Sequence, residues 1–178
     1  EINPMLLKDK IGHLKNNYDF VILDSSPTLN EEMLSTIIAS DHVFAVSTPD
    51  YPTLSCTMRA AQLAKQRHRP IAGIVVNQSH GSYDVDLHEI QESTGIPVVA
   101  KIKYDDIQHM ALAERVPAPL FASGTGFVTE IDRFCRALLG LPEYSSKIMR
   151  FFHKHDERLE RVNRAVMAKD FYTGMFKR

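Results

Sequence analysis

Four short runs rich in Val and Ile constrain this chain more than any other feature. They are Phe20–Leu23, Val43–Val46, Ile71–Val76 and Pro97–Ile102. Each is continuous rather than alternating, which suits strands buried on both faces, as in a parallel sheet. Helical patterns lie before, between and after them: Met5–Leu14, Glu31–Ala39, Thr53–Lys65, Asp86–Ser93, Asp106–Glu114 and Val128–Leu139. Alternation of strand and helix reads as βαβ units, hence an α/β fold whose parallel sheet carries helices on both faces.

Turn chemistry sets the boundaries. Thr28 followed by Glu31 is a capping-box pattern, which predicts a helix start just after Pro27. In Thr48-Pro49-Asp50-Tyr51-Pro52 two prolines lack the ladder donor, so the second strand gives way to a loop that feeds a helix. Asn77 is expected to end the third strand. Ser123-Gly124-Thr125-Gly126 is glycine-rich but lacks a lysine and a preceding strand, so it reads as a helix N-cap loop rather than a phosphate loop.

At 178 residues the chain is long enough for one domain with a substantial core. Its two cysteines, Cys56 and Cys135, form no CxxC and no disulfide framework, which points to a reducing compartment. No apolar run reaches the ~18 residues of a transmembrane helix, and no signal peptide opens the sequence. The first residue is Glu1, and the chain is expected to be a piece of something longer. Charge is uneven: residues 147–178 hold nine of the 21 Lys and Arg but four of the 22 Asp and Glu. We therefore divide the sequence into a body, 1–143, and a basic amphipathic helical tail, 144–178. Ile148, Phe152, Leu159, Val162 and Val166 fall at helical spacing in the tail, among basic residues. Packing on the body or on a partner helix, contact with a membrane interface and, less favoured, nucleic acid are the roles such a tail suggests.

Open α/β sheets bind ligands beyond the carboxyl ends of their strands. Asp24-Ser25-Ser26, Ser47-Thr48-Pro49, Asn77-Gln78 and Lys103-Tyr104-Asp105 fall there. Singly, each has an ordinary explanation, since Asp and Asn favour turns and Ser and Thr cap helices. The eight histidines do not cluster; His153 and His155 point to different helix faces, and His109 reads as a surface residue. No Ser/His/Asp or Cys/His arrangement can be inferred.

Taken in order, DFVILDSSPTLNEEM, SDHVFAVSTPDYPTL, IAGIVVNQ and GIPVVAKIKYDDIQHMALAERVPA resemble the MinD/ParA family of deviant P-loop ATPases. The wording around PTLNE and TPDYPTL is similar to the pilus-assembly, CpaE/TadZ-like branch. The likeness covers roughly residues 15–140. It implies a P-loop NTPase-like sheet without its N-terminal strands, and a cytoplasmic protein, peripheral at the inner face of the membrane if its tail resembles that of MinD. Asp24 would be the Walker B carboxylate that acts on Mg²⁺ through water, a sensible role for an anionic oxygen on a rigid strand. Ser25 to Leu29 would sense the γ-phosphate, Asn77 would contact adenine, and Lys103, Tyr104 and Asp105 would occupy the turn on the other side of the base. Gln78 stands where the family has arginine and Lys103 where it has proline. No GK[ST] occurs in the chain, and a loop of that kind supplies the donors that cradle phosphate. By itself this chain is expected to bind ATP weakly or not at all, and not to hydrolyse it. The resemblance implies an ATP- and Mg-dependent positioning ATPase that dimerises on ATP. A non-catalytic scaffold of the same fold is the alternative. A phospho-receiver domain is a remote one, because the chain lacks the acidic pair and the Lys-Pro that such a domain requires.

Overall fold

The run Gly73-Ile74-Val75-Val76 is buried at every position in a computed structural model of the chain, as a strand covered on both faces must be. The structure describes residues 4–141 apart from Pro27 and Leu29. In chain order the first elements are α1 (Pro4–Leu14), α2 (Glu31–Ala39), β1 (Phe44–Ser47), α3 (Tyr51–Gln66), β2 (Gly73–Ser79), α4 (Leu87–Thr94) and β3 (Val98–Lys103). They are followed by α5 (Ile107–Ala113), α6 (Ala118–Phe121) and α7 (Gly126–Leu138). One compact unit ends at Lys101 and a second begins at Ile102. The tail, 144–178, lies outside the described residues.

Among the described residues the sheet runs β1-β2-β3, with β2 in the middle. The β1–β2 pair is parallel, with Phe44 opposite Gly73 and Ser47 opposite Val76. On the other side of β2, the Ile74 N–H donates to the Pro97 carbonyl at 2.9 Å. Helices flank this sheet. Leu54, Ile74, Val76, Val85, Ile90 and Ile96 form one core cluster, joining α3 and α4 to β2. Met33, Ile37 and Ala64 form another between α2 and α3, and Ile71 packs against both clusters. Helix α3 reaches both because Leu54 and Ala64 lie near its opposite ends.

The helix starts follow from their caps. Asp50 accepts from Thr53 N–H at 2.9 Å, with Pro52 in the first turn, where its missing N–H costs nothing. Asp86 accepts from His88 N–H, and α4 ends at Gly95 with φ 67°, the left-handed conformation glycine adopts freely. Thr125 accepts from Val128 N–H, so Ser123–Gly126 is the N-cap loop that the sequence suggests. The cap of α2 differs from expectation. It is Asn30, whose Oδ1 accepts from Met33 N–H at 2.9 Å, and not Thr28. The Thr28 hydroxyl is engaged with Ser26 Oγ at 2.9 Å instead.

Two strand expectations need correction. Phe20–Leu23 is not a strand: among the described residues nothing pairs with it, and Phe20 and Ile22 are 69% and 92% exposed. An apolar run becomes a strand only when a neighbour completes its ladder, and hydrophobic pattern alone does not supply that neighbour. Asn77 does not end its strand either, because β2 continues to Ser79.

The centre of the sheet leaves little room. A Cβ on Gly73 would sit 2.4 Å from Val99 Cγ1 and 3.2 Å from Val99 Cβ. Gly73→Ala is therefore expected to destabilise the chain by about 1–3 kcal/mol, measured by urea unfolding. The double variant Gly73→Ala/Val99→Ala should recover most of that loss. If Val99→Ala gives no recovery, the close approach is not the cause.

Candidate functional site

The loops that leave the carboxyl ends of β1 and β2 are built by short side-chain-to-backbone bonds. After β1, the buried Ser47 donates to the Thr48 carbonyl at 3.1 Å. The Thr48 hydroxyl donates to Asp50, whose carboxylate already caps α3. Those two donors, Thr48 first, hold the Asp50 carboxyl below its usual range. After β2, the Val85 N–H donates to the Pro49 carbonyl at 3.0 Å, which ties the second loop to the first.

Asp84 organises that second loop, and sequence reasoning passed over it. Its carboxylate accepts from the Ser79 hydroxyl at 2.5 Å and from the His80 and Gly81 N–H groups at 3.0 Å. Lys101 Nζ lies 3.6 Å from Asp84 Oδ2, and the Asp84 side chain is only 7% exposed. Burial by itself would push this carboxyl up. The Ser79 hydroxyl, the two amide donors and the Lys101 charge together outweigh it and hold the carboxyl below its ordinary value. The available signal was weak: an Asp three residues after Gly81 resembles any turn aspartate.

The residues singled out in the sequence fall as follows. Asp24 is exposed, on a segment with no regular secondary structure, and makes no hydrogen bond or ion pair among the described residues. Ser25 is half-buried and its hydroxyl donates to the Ser26 carbonyl at 3.3 Å. Asn77 lies within β2, and its Oδ1 is buried with no hydrogen-bond partner among the described residues. Gln78, next to it, has φ 56°, a left-handed backbone uncommon for a side-chain-bearing residue. No hydrogen bond joins Asp24, Ser25 and Asn77 to one another.

Lys103 ends β3 and is exposed. In the second unit, the Tyr104 hydroxyl donates to Asp106 Oδ1 at 3.0 Å, and this acceptor raises the phenol above its usual value. The Tyr104 and His109 rings meet at 6.0 Å. Asp105 accepts from the Ile107 N–H at 3.0 Å and so opens α5, the ordinary structural role for a turn aspartate.

These features fit a nucleotide and its metal in two respects. A buried acceptor without a donor, such as Asn77 Oδ1, is costly until something donates to it, and an adenine amino group is such a donor. An exposed carboxylate with no protein partner, such as Asp24, can accept from the water shell of Mg²⁺, which keeps several waters when bound.

Comparison with known proteins agrees with this fold. The AAA domain family model matches residues 1–69. An uncharacterized ATP-binding protein of Methanocaldococcus jannaschii is 20% identical over 162 residues, which cover 89% of this chain and 62% of that protein. The septum site-determining protein MinD of Pyrococcus horikoshii, complexed with Mg-ADP, has a similar structure with a TM-score of 0.69. It is 22% identical, and the match covers 76% of this chain and 56% of that one. A ParA family ATPase from Chlorobium tepidum gives a TM-score of 0.66 at 23% identity, over 77% of this chain and 57% of that one. This chain thus spans less than two thirds of the length of each of these relatives. Its architecture is the parallel α/β fold that these two structures share. Its fold is similar to that of the MinD and ParA ATPase structures.

The Asp84 cluster makes a prediction with a definite sign. The folded-state carboxyl lies below the unfolded value of about 3.9, so its stabilisation is present above about pH 4 and is lost as pH falls through the folded value. Asp84→Asn should flatten that acid limb. It should also cost about 1–3 kcal/mol at neutral pH, because donors are left unsatisfied. Urea unfolding of both proteins across the acid range checks this, and an unchanged acid limb in the variant would refute it.

Proposed function

We propose that this chain is part of an ATP-binding, nucleotide-switched positioning ATPase of the MinD/ParA type, which dimerises on ATP. The observation that carries the reading is the buried, unpartnered Asn77 Oδ1 near the carboxyl end of the central strand of a MinD/ParA-like fold. Support also comes from the relatives, one an ATP-binding protein and another a MinD complexed with Mg-ADP.

In this reading Asn77 accepts from the adenine amine, and Asp24 orients water around Mg²⁺. Ser25 and the turn after it respond to the γ-phosphate. Lys103, Tyr104 and Asp105 form the turn that meets the base. When bound, Mg²⁺ neutralises charge on the phosphates. The protein's own contribution is a buried acceptor, Asn77 Oδ1, held on a rigid strand, with the Asp24 carboxylate exposed on a segment outside the sheet. The matching phosphate cradle is a glycine-lysine loop, which this sequence does not contain. A partner protein or a membrane surface engages the basic residues of 147–178, and the protein works in the cytoplasm or at the inner face of the membrane. No helix among the described residues is long and apolar enough to cross a membrane.

Calorimetric ATP titration tests the proposal on a chain extended upstream to the length of its relatives. Saturable, Mg²⁺-dependent binding is expected, and Asp24→Ala should abolish the Mg²⁺ dependence. Asn77→Ala should weaken ATP about tenfold, the worth of roughly one hydrogen bond, while leaving GTP little changed. No saturable binding in the extended chain would leave the non-catalytic scaffold, a reading that Gln78 and Lys103 favour because both depart from the family pattern.

A further inference from the structure

At the opposite end of β1 and β2 from Asn77, the chain encloses a cleft of about 270 Å³. Its walls are residues 41–43, which lead into β1, and 68–72, which lead from α3 into β2. The Ala72 N–H donates to the Val43 carbonyl at 2.7 Å, joining the two walls. Val43 and Ile71 give the cleft an apolar lining. Asp41, His42, His68 and Arg69 are the polar residues among those that line it.

With Lys15 counted beside Asp41, the fixed charges at this end are two cations and one acid. Asp41 is the single acid among the lining residues, and Lys15 already holds it at 2.5 Å. The Lys15 hydrogen bond comes first in keeping the Asp41 carboxyl low, with help from the charges of Lys15, His42 and Arg69. Arg69 is half-buried; its guanidinium makes no hydrogen bond among the described residues, and its charge acts on the Asp41 carboxylate. A guanidinium carries five N–H donors in a fixed fork that matches phosphate and carboxylate oxygens. Imidazoles add donors beside it in either charge state.

The backbone supports the same conclusion. His68 has φ 57°, in the left-handed region that glycine occupies without steric cost. It follows α3 in a turn closed by His68 N–H to the Lys65 carbonyl at 3.0 Å and by Arg69 N–H to the Ala64 carbonyl at 2.9 Å. Glycine is the usual residue at such a helix end. His68 is one of the residues lining the cleft and holds this place at some cost in backbone ease, and strain of this kind concentrates at ligand sites.

We propose that this cleft binds a small oxyanion of the phosphate class, held by Arg69 with His42 and His68. Pockets that bury a drug-sized ligand run from about 300 to 1,000 Å³, and this one falls just below that range. It suits inorganic phosphate or a small phosphate monoester, and it is separate from the nucleotide end of the sheet. The inference does not depend on the ATPase reading.

Titration of the 178-residue chain with inorganic phosphate, at constant pH and ionic strength, tests the site. The imidazole NMR signals of His42 and His68 should move and saturate, while His109 stays still. Arg69→Ala should weaken binding about tenfold or more, the loss of a charge-assisted contact. His68→Gly suits the left-handed backbone, so its melting temperature should hold or rise while phosphate affinity drops. A parallel titration with glycerol 3-phosphate separates a phosphate monoester, if it binds more tightly, from the free ion, if it does not. Shifts that never saturate, or that persist unchanged in both variants, would overturn the proposal.

Discussion

Strand β2 carries the first unit. It pairs with β1 on one side and β3 on the other, and Gly73 to Val76 are buried without interruption. Ile74 and Val76 on one face meet Leu54, Ile90 and Ile96, so α3 and α4 are both fixed through it. Val75 points to the other face by the two-residue period of a strand, and it too is buried. Gly73 belongs to this arrangement as much as the large residues do, because Val99 of β3 fills the space its side chain would take. The position of every loop at either end of the sheet depends on that central ladder.

The two ends of the strands are held differently. At the carboxyl ends, carboxylates gather nearby hydroxyl and amide donors: Asp50 with Thr48 and Thr53, Asp84 with Ser79, His80 and Gly81. The Val85–Pro49 bond then couples the two loops. Such bonds are worth most where water is excluded, and Asp84 is well buried. At the amino ends the walls are joined by one backbone bond, and polar residues line an open cleft. Satisfied acids at one end and a guanidinium with no hydrogen-bond partner among the described residues at the other give the sheet two ends of opposite chemical character.

Much of this was legible in the residues. The runs at 43–46, 71–76 and 97–102 became β1, β2 and β3 with shifts of a few residues, because a doubly buried strand has little choice but Val and Ile. The helix at Glu31–Ala39 has the bounds its periodicity suggests. The Phe20–Leu23 run misled, because a strand is defined by its neighbour as well as by its own composition. Asp84 escaped notice for a related reason. Its partners are two backbone amides, a serine and a lysine 17 positions on, and nothing local distinguishes it from a surface turn. The Arg69 cleft was equally silent, since residues 41–43 and 68–72 come together only when β1 and β2 lie side by side.

The sequence by itself determined the class of fold, the helix and strand order around β2, and the set of residues that fall near strand ends, because hydrophobic period and turn chemistry are local properties. Only the tertiary structure decided which of those residues are already satisfied and which are not. Asp50, Asp84 and Asp105 proved to be engaged in holding their own loops. Asn77 Oδ1 and the Arg69 guanidinium are left with hydrogen-bonding capacity and no hydrogen-bond partner among the described residues. That distinction rests on burial and on partners brought together from distant parts of the chain, and those follow from packing rather than from residue type.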